Sequence, residues 1–303
     1  MPIPRAFGRR ARDRAATVLA LASLVGSGGC QDATAPLPSG ASRFAPPPVY
    51  SSWWGLVEAC SGRTGVFAAW AWYRVPDGAL RPAGYGNAAA YTDVAARRVV
   101  MEEGLEANGS PIRHEMLHAL LGPAYASGNS AQVHPPAYFQ GRCAGVVWCD
   151  QGCADAGPPP PSAADGAPAL PLSALDVGID VIPTGVSRTG TDRALTIVLH
   201  ATNPTAEPRW LALAPTLGVS PPSAHWWGFR IVPAGQSLPV TDLTRVDSTG
   251  IVFVIPAGRV PFAAGQTRWQ VFDMSGGAYP PGDYQVVGIF NTRQIAVPLT
   301  ITP

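Results

Sequence analysis

Two stretches in the first half of the chain carry apolar residues at the spacing of an α-helix. Residues 50–60 follow this spacing, with a Ser-Ser pair near their start that favours helix initiation. In the second stretch Ser110 suits an N-cap and Pro111 suits the first helical position, while Gly122 ends the pattern. We therefore predict a helix over 111–121. The β-prone runs 66–75 and 94–101 predict two strands.

Beyond residue 171 the helical spacing disappears, and short β-prone runs separated by turn signals such as Asn203-Pro204 replace it. Seven or eight strands in roughly 130 residues predict an immunoglobulin-like β-sandwich. The predicted strands cover 174–182, 194–202, 209–213, 228–232, 250–255, 267–272, 283–290 and 295–301.

The N-terminus has the pattern of an export signal. Five arginines precede an apolar run over 15–26, which is too short for a stable membrane anchor, and Ser27-Gly28-Gly29-Cys30 follows. This arrangement resembles a bacterial lipoprotein signal, and the resemblance implies that Cys30 becomes the lipidated first residue of the mature chain. An ordinary signal peptide cut near residues 27–29 is the alternative.

Composition divides the rest of the chain. Pro-rich and Ser-rich sequence after Cys30 predicts a disordered tether, and a run of four prolines predicts a semi-rigid linker. The predicted organisation is a signal peptide over 1–29, a tether over 30–48, a first folded domain over 49–153, a linker over 154–171 and a β-sandwich over 172–303.

Composition and charge also limit the function. The chain is 47% hydrophobic and 14% charged, with a net charge of +1 and no basic patch, so nucleic acid is not an expected partner. The 33 glycines and 33 prolines favour a loop-rich, β-rich secreted protein.

Four cysteines besides Cys30 form an even set, which fits an oxidising compartment. Three pairings are possible. We favour Cys60–Cys143, which ties the two ends of the region 49–153 together, and the local pair Cys149–Cys153. A zinc site of four cysteines is disfavoured because the spacing lacks Cys-x2-Cys pairs.

The strongest chemical signal is His114-Glu115-x-x-His118 within the second predicted helix. One helical turn separates the two histidines, so both can bind one metal ion, and Glu115 lies beside them. From the His and Glu content, chance would produce this motif about 0.002 times per chain.

A catalytic zinc ion needs a third protein ligand that leaves one position open. Glu207 is the only glutamate after Glu115, and it lies in a different compositional region. His134, sixteen residues after His118, is the preferred third ligand, and Asp150 remains the alternative.

The motif helix and this three-histidine set resemble the zincin metallopeptidases over about 100 residues. The resemblance implies an α+β fold, in which a small zincin-like domain with the His-Glu-x-x-His helix precedes the all-β immunoglobulin-like sandwich. It implies Zn²⁺ on His114, His118 and His134, with Glu115 as general base. Tyr138 or Tyr125 could donate to the developing oxyanion.

The C-terminal half contains a second resemblance. The segment from Phe262 through Gly265 to Trp269, followed by Tyr279 to Phe290, is similar to the last strands of the intracellular proteinase-inhibitor (BsuPI) sandwich. No inhibitor loop is carried over from it. The two histidines of this half, His200 and His225, are expected to be packing or surface residues.

These observations predict an exported, lipid-anchored zinc metallopeptidase of the bacterial cell envelope, located at the outer membrane, with peptide or protein substrates. The alternative is a non-catalytic envelope-binding lipoprotein with a degenerate or structural zinc site. An intact Glu115 argues against a purely structural site, which has no use for a carboxylate beside the metal. Trp53, Trp54, Trp70 and Trp72 are expected to form an aromatic core rather than a sugar-binding platform.

Overall fold

A computed structural model describes residues 36–80, 89–126, 130–147, 167–189, 193–212, 223–224, 227–236, 255–256, 259–290 and 293–303. All of these residues belong to one compact unit, Thr34–Pro303. Among them, no helix is both long enough and apolar enough to span a bilayer.

The described helices are α1 (Pro48–Ser61), α2 (Gly109–Leu121) and α3 (Ser130–Val133), together with a π-helical segment at Ala137–Arg142. The first strands are β1 (Ser42–Phe44), β2 (Ala71–Val75), β3 (Ala90–Asp93) and β4 (Arg98–Glu102). Next come β5 (Ala169–Leu170), β6 (Asp176–Ile182), β7 (Gly185–Ser187), β8 (Ala194–Thr202), β9 (Arg209–Ala212) and β10 (Ser223–Ala224). The last are β11 (Trp227–Pro233), β12 (Ile255–Pro256), β13 (Arg259–Phe262), β14 (Thr267–Ser275), β15 (Gly282–Phe290) and β16 (Arg293–Thr302).

The first four strands form a mixed sheet in the order β1-β2-β4-β3, in which only β2 and β4 run parallel. β1 lies inside the segment for which the sequence predicts a tether, and there it pairs with β2. Helices α1 and α2 pack with this sheet around an aromatic core that includes fully buried Tyr50, Trp53 and Trp72. The tryptophans of α1 and β2 therefore stabilise the part of the chain that holds α2.

Strand β8 is central to the fold because both of its faces are buried. It lies between β14 and β6 in a three-stranded antiparallel sheet. Leu195, Ile197 and Leu199 face the C-terminal core, whereas Ala194 and Val198 belong to the core around α1 and α2. A strand that is covered on both faces typically has a nearly continuous run of apolar residues in its sequence.

The remaining strands complete the C-terminal part. The largest sheet has the order β11-β15-β16-β7, and smaller sheets have the orders β13-β9-β5 and β10-β12. Phe229, Phe262 and Phe290 are fully buried in the core that these sheets share with β8.

The expected fold class is wrong. Within the described stretches α-helix is confined to α1, α2 and the four-residue α3, and strands in five sheets make up most of the regular structure. The expected α+β fold, a small zincin-like domain with the His-Glu-x-x-His helix followed by an all-β immunoglobulin-like sandwich, does not describe this mostly β arrangement. The reason is physical: a helical motif specifies its own turns, but it does not specify which sheet buries its apolar face.

Several element boundaries also differ from the sequence predictions. Helix α2 starts at Gly109 instead of 111, and Asn108 rather than Ser110 is its N-cap residue, without a side-chain cap. The predicted strand over 94–101 begins only at Arg98, after a turn in which Arg97 has a φ of 50°. Within 66–75, Phe67–Ala69 is a 3₁₀ turn before β2. Part of the predicted strand over 250–255 lies outside the described residues.

Candidate metal centre

Helix α2 presents His114 and His118 on one face, one turn apart. The helix ends at Leu121, and its C-cap residue Gly122 has a φ of 73°, which suits glycine, and an N–H that donates to the carbonyl of His118. Ile112 and Met116 are fully buried and hold the opposite side of the helix in the aromatic core. The packing of α2 therefore fixes the direction in which the two imidazoles point.

His134 completes a cluster of three histidines. It follows α3 and comes directly before Pro135 and Pro136. The Nε2 atoms of His114 and His134 are 3.2 Å apart, and those of His114 and His118 are 3.1 Å apart. One ring nitrogen from each of the three residues lies within 4.8 Å of the others.

Phe139 packs against all three imidazoles. Its ring centroid lies 4.9 Å from the centroids of His114, His118 and His134, and its side chain is 1% exposed. Phe139 belongs to the π-helical segment Ala137–Arg142. This buried apolar ring limits the access of water to that side of the cluster.

The spacing of the nitrogens fits tetrahedral zinc. Zn–N bonds of about 2.0–2.1 Å at tetrahedral angles place ligand nitrogens about 3.3–3.4 Å apart. The observed separations of 3.1 and 3.2 Å are close to that value. Three imidazoles leave a fourth position open, as catalytic zinc sites require.

Burial favours the neutral, ligating form of the histidines. Desolvation, followed by the neighbouring His114 and His134 rings, lowers the pKa of His118 well below its ordinary value. Metal ligation requires the neutral imidazole, so His118 is in the ligand form at neutral pH.

Glu115 follows His114 in the sequence and is buried, with 7% exposure. The Thr92 hydroxyl of β3 lies 2.8 Å from Glu115 Oε2 and 2.9 Å from the Glu115 main-chain carbonyl. The carboxylate is therefore held at a defined position beside the helix.

Arg113, directly before the motif, anchors α2 to β14. Its Nη1 and Nη2 atoms donate to the two carboxylate oxygens of Asp273 at 2.8 and 2.9 Å, and its Nε donates to the Val146 carbonyl at 2.7 Å. Thr196 donates to Asp273 at 3.0 Å, and the Trp53 indole donates to Thr196 at 2.8 Å. This network joins α1, α2, β8 and β14 behind the histidines.

The segment that carries His134 and Phe139 is anchored at its far end. Cys143, one residue past the π-helical segment, forms a disulfide with Cys60 of α1, the pairing favoured from the sequence. Two residues later, Gly145 has a φ of 85° and its carbonyl accepts from Val271 N–H at 2.8 Å. A side chain at Gly145 would collide with the Trp269 backbone, so this close approach requires glycine.

The two tyrosines suggested as oxyanion donors lie near each other. Their ring centroids are 6.3 Å apart, and the Tyr138 hydroxyl accepts from Arg63 Nε and Nη2 at 3.1 and 2.9 Å. The Arg63 guanidinium also lies 5.7 Å from the Tyr138 ring centroid. Whether Tyr138 or Tyr125 donates to an oxyanion stays a prediction.

Some predicted residues fall outside the described part of the chain, namely Cys30, Cys149, Cys153, Asp150 and His225. His200 is described and lies on β8, with its Nε2 3.6 Å from Asp180 Oδ2, apart from the three-histidine cluster. Sequence reasoning missed Thr92, Arg113 and Asp273. The single available signal was Arg113, a charged residue inside an apolar helical run.

An aromatic groove of about 550 Å³ forms a second feature of the N-terminal part. Its lining includes Arg43 and Phe44 of β1, together with Phe67, Trp70 and Trp72.

Comparisons with known proteins identify no family. No family profile matches the chain, and no functionally characterised protein matches it in sequence. Among solved structures, a β-glucosidase from Listeria innocua in complex with glucose is 9% identical, with a TM-score of 0.24 over 43% of this chain and 16% of that one. A β-glucosidase from Erythrobacter marinus is 8% identical, with a TM-score of 0.25 over 42% of this chain and 15% of that one.

The CARDB domain of a Pyrococcus furiosus protein is 10% identical, with a TM-score of 0.23 over 43% of this chain and 94% of that domain. TM-scores this low and identities near 10% support no conclusion about fold or activity.

Proposed function

We propose that the chain is an exported zinc metallopeptidase that hydrolyses peptide bonds, with His114, His118 and His134 as the metal ligands and Glu115 as general base. The observation that carries the proposal is the convergence of one nitrogen from each of the three imidazoles, together with the buried carboxylate of Glu115, the residue that follows His114 in the sequence. Peptide hydrolysis as the reaction rests on the resemblance of the motif helix to metallopeptidases.

Each residue has a defined part in this chemistry. When bound, zinc supplies a Lewis acid that polarises the scissile carbonyl and acidifies the attacking water. Glu115 accepts a proton from that water as the new C–O bond forms. The same carboxyl then gives the proton to the departing amine as the C–N bond breaks. Phe139 keeps the histidine side of the site apolar, which strengthens electrostatic interactions there.

The proposed setting is the bacterial cell envelope. Cys30 would carry a lipid that anchors the chain to the outer membrane, and the substrate would be a peptide or protein. The Cys60–Cys143 disulfide supports an oxidising compartment.

A screen of internally quenched peptides tests the activity. The wild type should cleave members of the library, a chelator should abolish cleavage, and added zinc should restore it. Glu115→Gln should keep zinc and lose cleavage by a factor of about 10²–10⁴, the usual contribution of a general base. Cleavage that persists in Glu115→Gln would contradict the assignment.

The second candidate is a non-catalytic envelope-binding lipoprotein with a structural zinc site. The aromatic groove lined by Phe44, Phe67 and Trp70 favours it, because ligand sites are typically concave and rich in aromatic side chains. The peptide screen separates the two functions, since chelator-sensitive cleavage has no explanation in a binding module.

A further inference from the structure

We propose that Thr92 is a positioning residue for Glu115, holding one carboxylate oxygen so that the other faces the reacting water. This inference rests on the proposed function. It concerns a residue on β3, in a different part of the sequence from the motif.

The Thr92 hydroxyl contacts two acceptor oxygens of Glu115. Thr92 Oγ1 lies 2.8 Å from Glu115 Oε2 and 2.9 Å from the Glu115 main-chain oxygen. A hydroxyl has one proton to donate, so the two oxygens of the same residue share it. The Thr92 hydroxyl thus links the carboxylate of Glu115 to the main-chain carbonyl of the same residue.

The hydrogen bond from Thr92 restricts the terminal side-chain torsion of Glu115. The terminal torsion of a glutamate is broad, so packing around the methylene groups does not decide which oxygen faces a given direction. Because Thr92 holds Oε2, it also sets the orientation of the whole carboxylate, including that of Oε1. General-base catalysis depends on that geometry, and a misplacement of about 1 Å can cost about 10² in rate.

Thr92 is itself well fixed. It is β-branched, which restricts its own first torsion, and it pairs with fully buried Val99 of β4. β3 packs against α2, and Ala90, two residues before Thr92 on the same strand face, is buried in the core around that helix. The hydroxyl is therefore presented by a packed strand and not by a loop.

Three variants test the inference. Thr92→Val keeps the shape and the strand preference but removes the hydroxyl, and Thr92→Ser keeps the hydroxyl. Thr300→Val is the matched control, because Thr300 on β16 also donates to a carboxylate, Asp283 Oδ1 at 3.0 Å, within the C-terminal sheet.

In Thr92→Val, kcat should fall about 10–100-fold while KM stays within about two-fold of the wild type and zinc remains stoichiometric. Thr92→Ser should recover most of the loss, and Thr300→Val should leave kcat unchanged. An unchanged kcat in Thr92→Val, or an equal loss in Thr300→Val, would overturn the inference.

Crystal structures of zinc-loaded wild type and Thr92→Val supply a readout that does not need activity. The Glu115 carboxylate should rotate away from its wild-type position in the variant, and an unchanged position would overturn the inference. If the wild type binds zinc but cleaves no peptide, the proposed function fails while this comparison still decides the role of Thr92.

Discussion

The carboxylate of Asp273 on β14 accepts hydrogen bonds from both terminal nitrogens of Arg113, at 2.8 and 2.9 Å, although 160 positions separate the two residues in the sequence. Arg113 is 1% exposed and Asp273 is 17% exposed at the side chain, so the pair is largely removed from water. Because Arg113 directly precedes His114, the ion pair ties the metal-binding helix to the C-terminal sheet. The structure of the site thus depends on strands far from the motif.

Loss of the Asp273 carboxylate should destabilise the protein. Asp273→Ala leaves the guanidinium buried without its counter-charge, which typically lowers the free energy of unfolding by about 3–5 kcal/mol. Glu207→Ala is the control, because Glu207 pairs with Arg209 at 2.7 Å but is 68% exposed, and exposed pairs contribute about 0–1 kcal/mol. Urea unfolding measures both, and equal losses would contradict a buried anchoring role.

Substitution of Gly109 should destabilise the protein, because Gly109 lies against the same ion pair. A methyl group there would collide with the Arg113 guanidinium and the Asp273 carboxylate, so Gly109→Ala should lower the free energy of unfolding by about 1–3 kcal/mol. Gly55 in α1 has open space around it, and Gly55→Ala should raise the same quantity by about 0.5–1 kcal/mol. Thermal unfolding of both variants checks the opposite signs.

Local features of the fold can be predicted from the sequence, whereas contacts between distant segments cannot. The strand 194–202 was predicted with the bounds that β8 has, because apolar run and turn signals are local. The sequence does not predict that both faces of β8 are buried. The second face is covered by distant residues, such as Trp53 of α1, whose indole donates to Thr196. Asp273 gave no signal at all, because an acidic residue in a strand usually faces water.

The site shows the same division. His114, Glu115 and His118 are visible in the sequence because one helix fixes their spacing. The sequence favours His134 because other ligand types are missing downstream of the motif, and the structure places its Nε2 3.2 Å from His114 Nε2. Thr92 could not be predicted, since the sheet order that places β3 beside α2 is not encoded in any local pattern. The expected zincin-like fold failed because a shared helix motif does not determine the sheets around it.

The contribution of His134 to zinc affinity can be distinguished from the effect of removing a histidine outside the cluster. His134→Ala should release zinc, with affinity reduced at least about 10-fold, because it removes one of three ligands. His200→Ala should retain zinc, since His200 lies on β8 and interacts with Asp180 instead. Metal titration with a competing chelator measures both affinities. Equal affinity of His134→Ala and the wild type would remove His134 from the ligand set.

Acid should destabilise the zinc-free protein. Burial and the neighbouring histidines lower the pKa of folded His118, whereas an unfolded histidine titrates near pH 6.5. Below about pH 6.5 the unfolded chain therefore binds more protons than the folded chain, and the stability falls as pH falls. Thermal unfolding between pH 7.5 and 5.5 should show this loss, and His118→Gln should reduce it. An identical pH dependence in His118→Gln would contradict the effect.

The zinc content of the wild-type protein, measured by mass spectrometry of the native protein after mild purification, tests the central claim most directly. We expect one zinc ion per chain, lost with a chelator and regained on addition of zinc. A protein that holds much less than one zinc ion per chain, and does not take up zinc when it is supplied, would contradict the metal centre at His114, His118 and His134.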